Sequence, residues 1–284
     1  MVENMYTIRA MTRQEVDLAI DWAAEEGWNP GLTDADCFYA ADANGFLLGS
    51  VQGKPVATIS AVSYGDSFGF IGFYIVKPEY RGQGYGLRIW QAALDHLAGR
   101  TIGLDGVVAQ QDNYRKSGFV LAYRNIRYQG IGGGEYPSAA RTIDLATVPF
   151  AEIEAFDAAF FPDRRRDFLQ RWLQPPQGAA FGVRGDDGGL AGYGVVRLCR
   201  NGYKIGPLFA DDPQTAEQLF LALKAKTPAG AALFLDTPAV NPAAIALAAR
   251  YKMAPAFETA RMYKGPAPEL PIAKLFGVTT FELG

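Results

Sequence analysis

Gly82, Gly84 and Gly86 alternate along Arg81-Gly82-Gln83-Gly84-Tyr85-Gly86, directly after an apolar run and directly before a stretch with helical periodicity. Missing Cβ atoms let backbone amides approach a ligand closely, and at a helix N-terminus those amides and the helix dipole favour an anion. A pyrophosphate fits that description, with Arg81 or Arg88 adding charge-assisted contacts. Spacing excludes two other nucleotide loops. The dinucleotide fingerprint needs its third glycine where Leu87 stands, and the P-loop needs Gly-Lys-Ser/Thr, which is absent. The single histidine removes further chemistry. His96 leaves no multi-histidine metal site, so no metal is expected, and a Ser-His-Asp or Cys-His hydrolase would rest on it alone. It also stands two residues after Leu94, off the apolar stripe of its helix, which reads as a solvated imidazole.

The elements that must hold the loop are readable from periodicity. A strand near Tyr6 to Ala10 and a helix from Thr12 to Glu26 lead to the loop Gly27-Trp28-Asn29-Pro30-Gly31 and a short polar segment. Three β-like runs follow, Phe46 to Val51, Pro55 to Ser63 and Phe68 to Val76, joined by turn residues as an antiparallel meander. After the glycines, Leu87, Trp90, Leu94 and Leu97 mark one face of a helix. A strand at Thr101 to Asp105, a short helix near Gln110 to Ser117 and a strand from Phe119 to Tyr128 complete this half. Gly130 to Ser138 holds four glycines in its first five positions and is the linker candidate.

Past it the order begins again: a strand at Arg141 to Leu145, helical stretches at Val148 to Phe160 and Arg164 to Leu173, and strands at Ala179 to Val183, Leu190 to Leu198 and Tyr203 to Phe209. Ile71-Gly72-Phe73-Tyr74 before one amphipathic helix parallels Ile205-Gly206-Pro207-Leu208 before another, at about Gln214 to Lys226, and each helix leads to a strand, the second at Ala232 to Asp236. This is a degenerate tandem repeat whose second copy has no glycine loop. Lys274 to Leu283 reads as a terminal strand, and Arg164-Arg165-Arg166, flanked by aspartates, as a solvated helical face.

A length of 284 residues suits two domains, and 49% apolar with 20% charged residues is ordinary globular composition. No apolar run approaches the ~18 residues of a membrane span, and the first residues lack a signal-peptide core. Cys37 and Cys199 are too few for a disulfide framework and fit a reducing compartment, so a cytoplasmic protein with no membrane partner is expected. A net charge of -3 gives no bulk attraction to nucleic acid.

Val76-Lys77-Pro78-Glu79-Tyr80-Arg81-Gly82-Gln83-Gly84-Tyr85-Gly86 resembles the V-x-P-x-x-R-G-x-G-x-G/A signature of the GNAT acetyltransferase superfamily, and Tyr114-Arg115-Lys116-Ser117-Gly118-Phe119 resembles its Y-x-K-x-G-F segment. The wording of Gly103 to Phe119, with the divergent second copy, is similar to a tandem subgroup acting on small amines and natural products. The resemblance implies an α+β fold of two tandem GNAT-like domains, each a mixed, mostly antiparallel twisted sheet flanked by helices. Residues 1–130 would be catalytic, 131–138 the linker, and 139–284 a degenerate domain without the loop. It implies acetyl-CoA as co-substrate, a small-molecule amine as acceptor, and a monomer or homodimer.

Under that resemblance the amides at Gln83 to Gly86, with Arg81, Gly82 and Tyr85, hold the pyrophosphate, Tyr74, Ile75 and Val76 pair through their backbone with the pantetheine arm, and Asn113 lies beside the cofactor. Tyr114 matches the tyrosine acid. Phe68 to Val76 carries no carboxylate where many relatives place a glutamate base; Asp105, Asp66 or a water chain remain. Trp28, Asn29, Asp34, Tyr74 and Gln110 are the candidates for the acceptor wall. An acetyltransferase of protein lysines and a non-catalytic acyl-CoA sensor are the alternatives.

Overall fold

The structure is a computed structural model that describes residues 6–137 and 142–284. The reading of residues 1–5, the last residue of the 131–138 segment and the strand start at Arg141 lie outside the described residues. The first half runs β1 (Tyr6–Ala10), α1 (Arg13–Glu25), α2 (Asp34–Ala41), β2 (Phe46–Val51), β3 (Lys54–Tyr64), β4 (Phe68–Val76), α3 (Tyr85–His96), β5 (Thr101–Val107), α4 (Gln111–Lys116) and β6 (Val120–Ile131). The second runs β7 (Thr142–Asp144), α5 (Phe150–Asp157), α6 (Arg166–Trp172), β8 (Gly178–Arg184), β9 (Leu190–Leu198), β10 (Tyr203–Ala210), α7 (Pro213–Ala225), β11 (Ala232–Pro238), α8 (Pro242–Arg250), β12 (Ala254–Lys264) and β13 (Leu275–Gly277). Thr12 opens α1 with a capping box: its hydroxyl accepts from the Glu15 amide while the Glu15 carboxylate accepts from the Thr12 amide.

Several local expectations are corrected. The segment read as polar is α2, whose Ala35, Cys37 and Phe38 are buried. β12 was not foreseen, because Glu258, Arg261 and Lys264 interrupt its apolar pattern. The expected terminal strand shrinks to Leu275–Gly277, after which residues 278–284 turn inward and are buried. Arg165 is not solvated: it is forked onto Asp157 at 2.8 and 2.7 Å, with the Phe161 ring 4.5 Å away. His96, by contrast, is exposed as its place off the apolar stripe implies, with Nε2 3.6 Å from Asp42.

Among the described residues, the strands form one continuous sheet in the order β1-β2-β3-β4-β5-β12-β6-β11-β10-β9-β8-β7, with β13 beside β10. Only β4–β5 and β10–β11 pair in parallel, once in each half, as a tandem repeat requires. The halves are interlocked. β12 inserts between β5 and β6, pairing Thr259↔Val107 through Lys264↔Ile102 on one edge, while β6 pairs with β11 from Ala232↔Ile131 to Pro238↔Asn125. The last long strand of each half therefore lies against the sheet of the other. The described part of the glycine-rich connection is tied to the second half as well, the Gly132 amide donating to Ala231 and the Gly133 amide to Lys224 and Thr227.

Helices cover both faces. α3 packs over the first half with Ile89, Trp90, Ala93 and Leu97, and α7 and α8 over the second with Leu219, Phe220, Leu223 and Leu247. On the opposite face, α1, α2, α5 and α6 share one core in which Phe38 stacks on Phe168 and Trp172 at 6.4 and 6.1 Å. No helix among the described residues is long and apolar enough to cross a membrane.

Because each sheet is completed by a strand of the other half, a protease site inserted after Pro137 and cut in the native protein should leave the fragments together. Co-elution on size exclusion is expected, and fragments that separate without denaturant would contradict the interlock.

Candidate functional site

The site begins as a gap in the sheet. The β4–β5 ladder ends at Ile71↔Leu104, although β4 continues to Val76 and β5 to Val107. The cause lies in β4, where Phe73 has φ 47 and the β3 register passes from Thr58↔Ile75 to Ser60↔Gly72, so that the partner strand is one residue short. Such a bulge bends the strand and re-aims its side chains, at a backbone cost of order 1–3 kcal/mol for a non-glycine residue at positive φ. Thr58 holds it, its hydroxyl donating to the Phe73 carbonyl at 2.9 Å.

The cleft that opens has a volume of about 540 Å³. At its mouth lies the glycine loop. Gly82 and Gly84 have φ of 76 and 84, a left-handed conformation in which a side chain would be strained, and no atom stands within 4 Å of where their Cβ atoms would be. Gly84 caps α3 without a side-chain acceptor. Among the described residues, the amides of 82–87 have no backbone or side-chain acceptor beyond the helix itself, so the N-terminus of α3 presents unpartnered donors of the kind an anion requires. Arg81 anchors the loop, its Nε donating to the Val76 carbonyl at 2.8 Å and its Nη2 to Glu26 at 2.5 Å.

Deeper in the cleft, Tyr74 packs on Trp90 at 5.3 Å and Trp90 on Tyr114 at 5.5 Å. Burial, reinforced by the neighbouring Tyr74, pushes the Tyr114 phenol up to about 12, so it keeps its proton throughout the neutral range. Burial raises Tyr74 in the same direction.

The sequence candidates separate into two groups. Trp28, Tyr74, Ile75, Val76, Arg81, Gly82, Gly84, Gly86, Asp105, Gln110 and Tyr114 line the cleft. Gln83, Tyr85, Asn113, Asn29 and Asp34 do not line it. Gln83 turns back to the Glu79 carbonyl at 3.0 Å, and the Tyr85 ring is buried against Tyr6 at 4.8 Å. Asn113 is exposed and donates to Gln110 at 2.7 Å, while the amide of Asn29 is taken up by the backbone of Asn201. Asp34 is buried and forked by Arg197 at 2.8 and 3.2 Å. Asp105 reaches the cleft, but Arg261 forks it at 2.9 and 2.5 Å and Asn125 donates to it at 2.8 Å. Those partners fit a counter-charge for Arg261, not a free proton acceptor. Asp66 is exposed at its turn, 3.9 Å from Arg100, and does not line the cleft.

Sequence reasoning missed the wall supplied by the second half: Phe257 and Thr259 from β12, and Phe281 and Glu282 from the segment after β13. Nothing local in the sequence points to them, because the strand exchange alone brings them there. Beside this wall Arg127, which also lines the cleft, forks Asp236 at 2.7 Å through Nε and Nη2 and donates from Nη1 to the Trp28 carbonyl at 2.7 Å. Burial alone would raise the Asp236 carboxyl, but the charge and hydrogen bonds of Arg127 hold it below the usual range. Lys204, with its ammonium on the Asn29 carbonyl at 3.0 Å, is pushed down by burial and then by the charge of Arg127.

The equivalent place in the second half is closed. β13 pairs with β10 at Leu208↔Gly277 and Phe209↔Leu275, beyond the point where the β10–β11 ladder ends at Ile205↔Leu235. Asp212 caps α7, accepting from the amides of Gln214 and Thr215 at 2.8 and 2.9 Å, so its own carboxylate occupies the position an anion would need.

Among the described residues, a sheet opened at a bulge beside a glycine-capped helix in the first half is matched in closed form in the second, the arrangement of a tandem fold with one open cleft. Comparison with known proteins agrees. The acetyltransferase (GNAT) family matches residues 10–119 and an acetyltransferase (GNAT) domain matches residues 153–277, so the second half, expected from element order alone, is also recognisable by sequence. A holothin acyltransferase of a Pseudoalteromonas species is 32% identical over 98% of this chain and 95% of its own. Among solved structures, a Pyrococcus horikoshii protein assigned as an acetyltransferase without an established activity superposes with a TM-score of 0.83 at 22% identity, covering 100% of this chain and 99% of that one. A tandem GNAT protein from the clavulanic acid biosynthesis pathway superposes at 0.64 with 13% identity, covering 93% and 100%. The chain belongs to the GNAT acetyltransferase family as a tandem member, and it is an acyltransferase.

If Asp105 serves to hold Arg261, Asp105→Asn should lower unfolding free energy by roughly 3–5 kcal/mol, the cost of leaving a buried charge without its partner. Urea unfolding measures this. An Asp105→Asn protein of wild-type stability and greatly reduced turnover would instead restore the base role.

Proposed function

We propose that the chain transfers an acetyl group from acetyl-CoA to a primary amine of a small molecule, at the cleft between β4 and β5. The observation that carries the reading is the row of free amides at 82–87, set at the mouth of a gap that also holds a protonated tyrosine. GNAT acetyltransferases generally use acetyl-CoA, and the residues present suit it. The loop amides and Arg81 would hold the pyrophosphate, and the β4 backbone at Tyr74 to Val76, which has lost β5 as a partner, would receive the pantetheine arm as an added strand. Unpaired β4 amides in the gap are the donors that charge developing on the thioester oxygen requires. Tyr114, retaining its proton, supplies the acid for the departing thiolate.

The acceptor side is walled by Trp28, Phe257 and Phe281, with Thr259 and Glu282 among them. This favours a compact amine with an aromatic or heteroaromatic body over a lysine on a protein chain, which needs an open groove. The relative's name makes holothin one acceptor worth testing on this chain.

Gly84→Trp should abolish acetyl-CoA binding in calorimetry, and unchanged affinity would remove the basis of the reading. Tyr114→Phe should lower kcat on the order of 10²-fold while leaving the dissociation constant for acetyl-CoA nearly unchanged. A thiol-release screen of arylalkylamines, heteroaromatic amines including holothin, and lysine peptides should return turnover among the small amines. Turnover confined to peptides would favour the protein-lysine alternative.

A further inference from the structure

We propose that Glu282, carried into the cleft by the segment that follows β13, takes the proton from the acceptor amine. The proposal rests on the amine-acetylation reading above and assigns the base that reading lacks. β4 holds no carboxylate, and the Asp105 carboxylate is occupied by Arg261 and Asn125. Glu282 is 3% exposed, lines the cleft, and its Oε2 has no hydrogen-bond partner among the described residues. A buried carboxylate oxygen without a donor carries a full desolvation cost, which a donor arriving with the acceptor would offset.

The fold is shaped to admit this segment. A Cβ on Gly72 would lie 2.1 Å from the Glu282 carbonyl oxygen, so only glycine at that point of β4 lets residue 282 rest on the strand, one position before the Phe73 bulge. The segment is pinned on both sides: the Tyr64 hydroxyl donates to the Leu283 carbonyl at 3.1 Å, and Phe281 lies 4.9 Å from the Arg127 guanidinium. Glu282 thus enters from the opposite half at the strand where the carboxylate is missing.

Its charged surroundings are compatible with the role. Arg127 on β6, Arg197 on β9 and Lys204 on β10 face it, and each is favoured in its charged form by the Glu282 carboxylate. The two arginines are already forked onto Asp236 of β11 and Asp34 of α2, and Cys199, a buried thiol, adjoins Arg197 and Lys204. Across the cleft stand Tyr74 on β4, Asp105 on β5 with Arg261 of β12, and Tyr114 on α4.

In the step, the acceptor ammonium gives one proton to Glu282 and its nitrogen lone pair forms the new N–C bond. The C–S bond breaks with its electrons on sulfur. Tyr114 delivers its proton to the thiolate, the second proton lost by nitrogen restores the Tyr114 phenol by way of water in the cleft, and the proton on Glu282 passes to solvent through the cleft mouth.

The test compares Glu282→Gln, Glu282→Asp and wild type, using as substrate the most active primary amine from the screen, with benzylamine as first probe, alongside aniline, whose nitrogen is neutral at pH 7. For Glu282→Gln, kcat/KM for the alkylamine should fall on the order of 10²-fold at pH 7, and the deficit should shrink as pH rises through the amine's own pKa. The neutral arylamine should be less affected, and acetyl-CoA affinity unchanged. Glu282→Asp, which keeps the charge and retracts it by one methylene, should fall between. Loss that is uniform across pH and accompanied by weaker acetyl-CoA binding marks a structural role and overturns the proposal, as does a Glu282→Gln rate equal to wild type. Wild-type protein that acetylates no primary amine would overturn the parent reading itself.

Discussion

A β-strand can leave its neighbour only if its other edge is satisfied, and this constraint governs the molecule. The site needs β5 to part from β4 after Leu104, which strips one edge of both strands of ladder partners. β5 keeps its order because β12 pairs with it from Ile102 to Val107, through the divergence after Leu104 and beyond it. β12 belongs to the second half, so the cleft of one copy is propped open by the other. The same exchange leaves β6 to complete the second half's sheet beside β11.

The buried charges lie along this seam. Arg197–Asp34, Arg127–Asp236 and Arg261–Asp105 each join a residue of one half to a residue of the other, and all six side chains are nearly inaccessible. Buried pairs of this kind add little net stability over apolar packing, since desolvation offsets the attraction. They do penalise any arrangement in which one member is buried without the other. At a junction between two similar sheets, where strands of either copy could pair with the wrong neighbour, such a penalty favours the exchanged register.

The copies have diverged in how each treats the same opening. In the first, a helix capped by glycine leaves its amides free and the gap beside it empty of chain. In the second, Asp212 satisfies the helix amides and β13 fills the gap, after which the chain continues across to touch β4 at Gly72. One copy has become the wall of the other's cleft, and the plug of its own.

Much of this was legible in the residues. The strands of the meander, the capped first helix, the glycine loop and Tyr114 follow from local pattern and spacing, because each depends on neighbours within a few positions of the chain. The existence of a second copy also followed from element order. The exchange of β6 and β12 could not, since both strands satisfy their hydrogen bonds equally well in any antiparallel ladder. Asp34 and Asp105 looked like free acids because their arginine partners are 163 and 156 residues away. Glu282 looked like an ordinary residue of a terminal strand. Only the packing of that segment against Gly72 of β4, a contact between distant parts of the chain, gave it a place in the cleft.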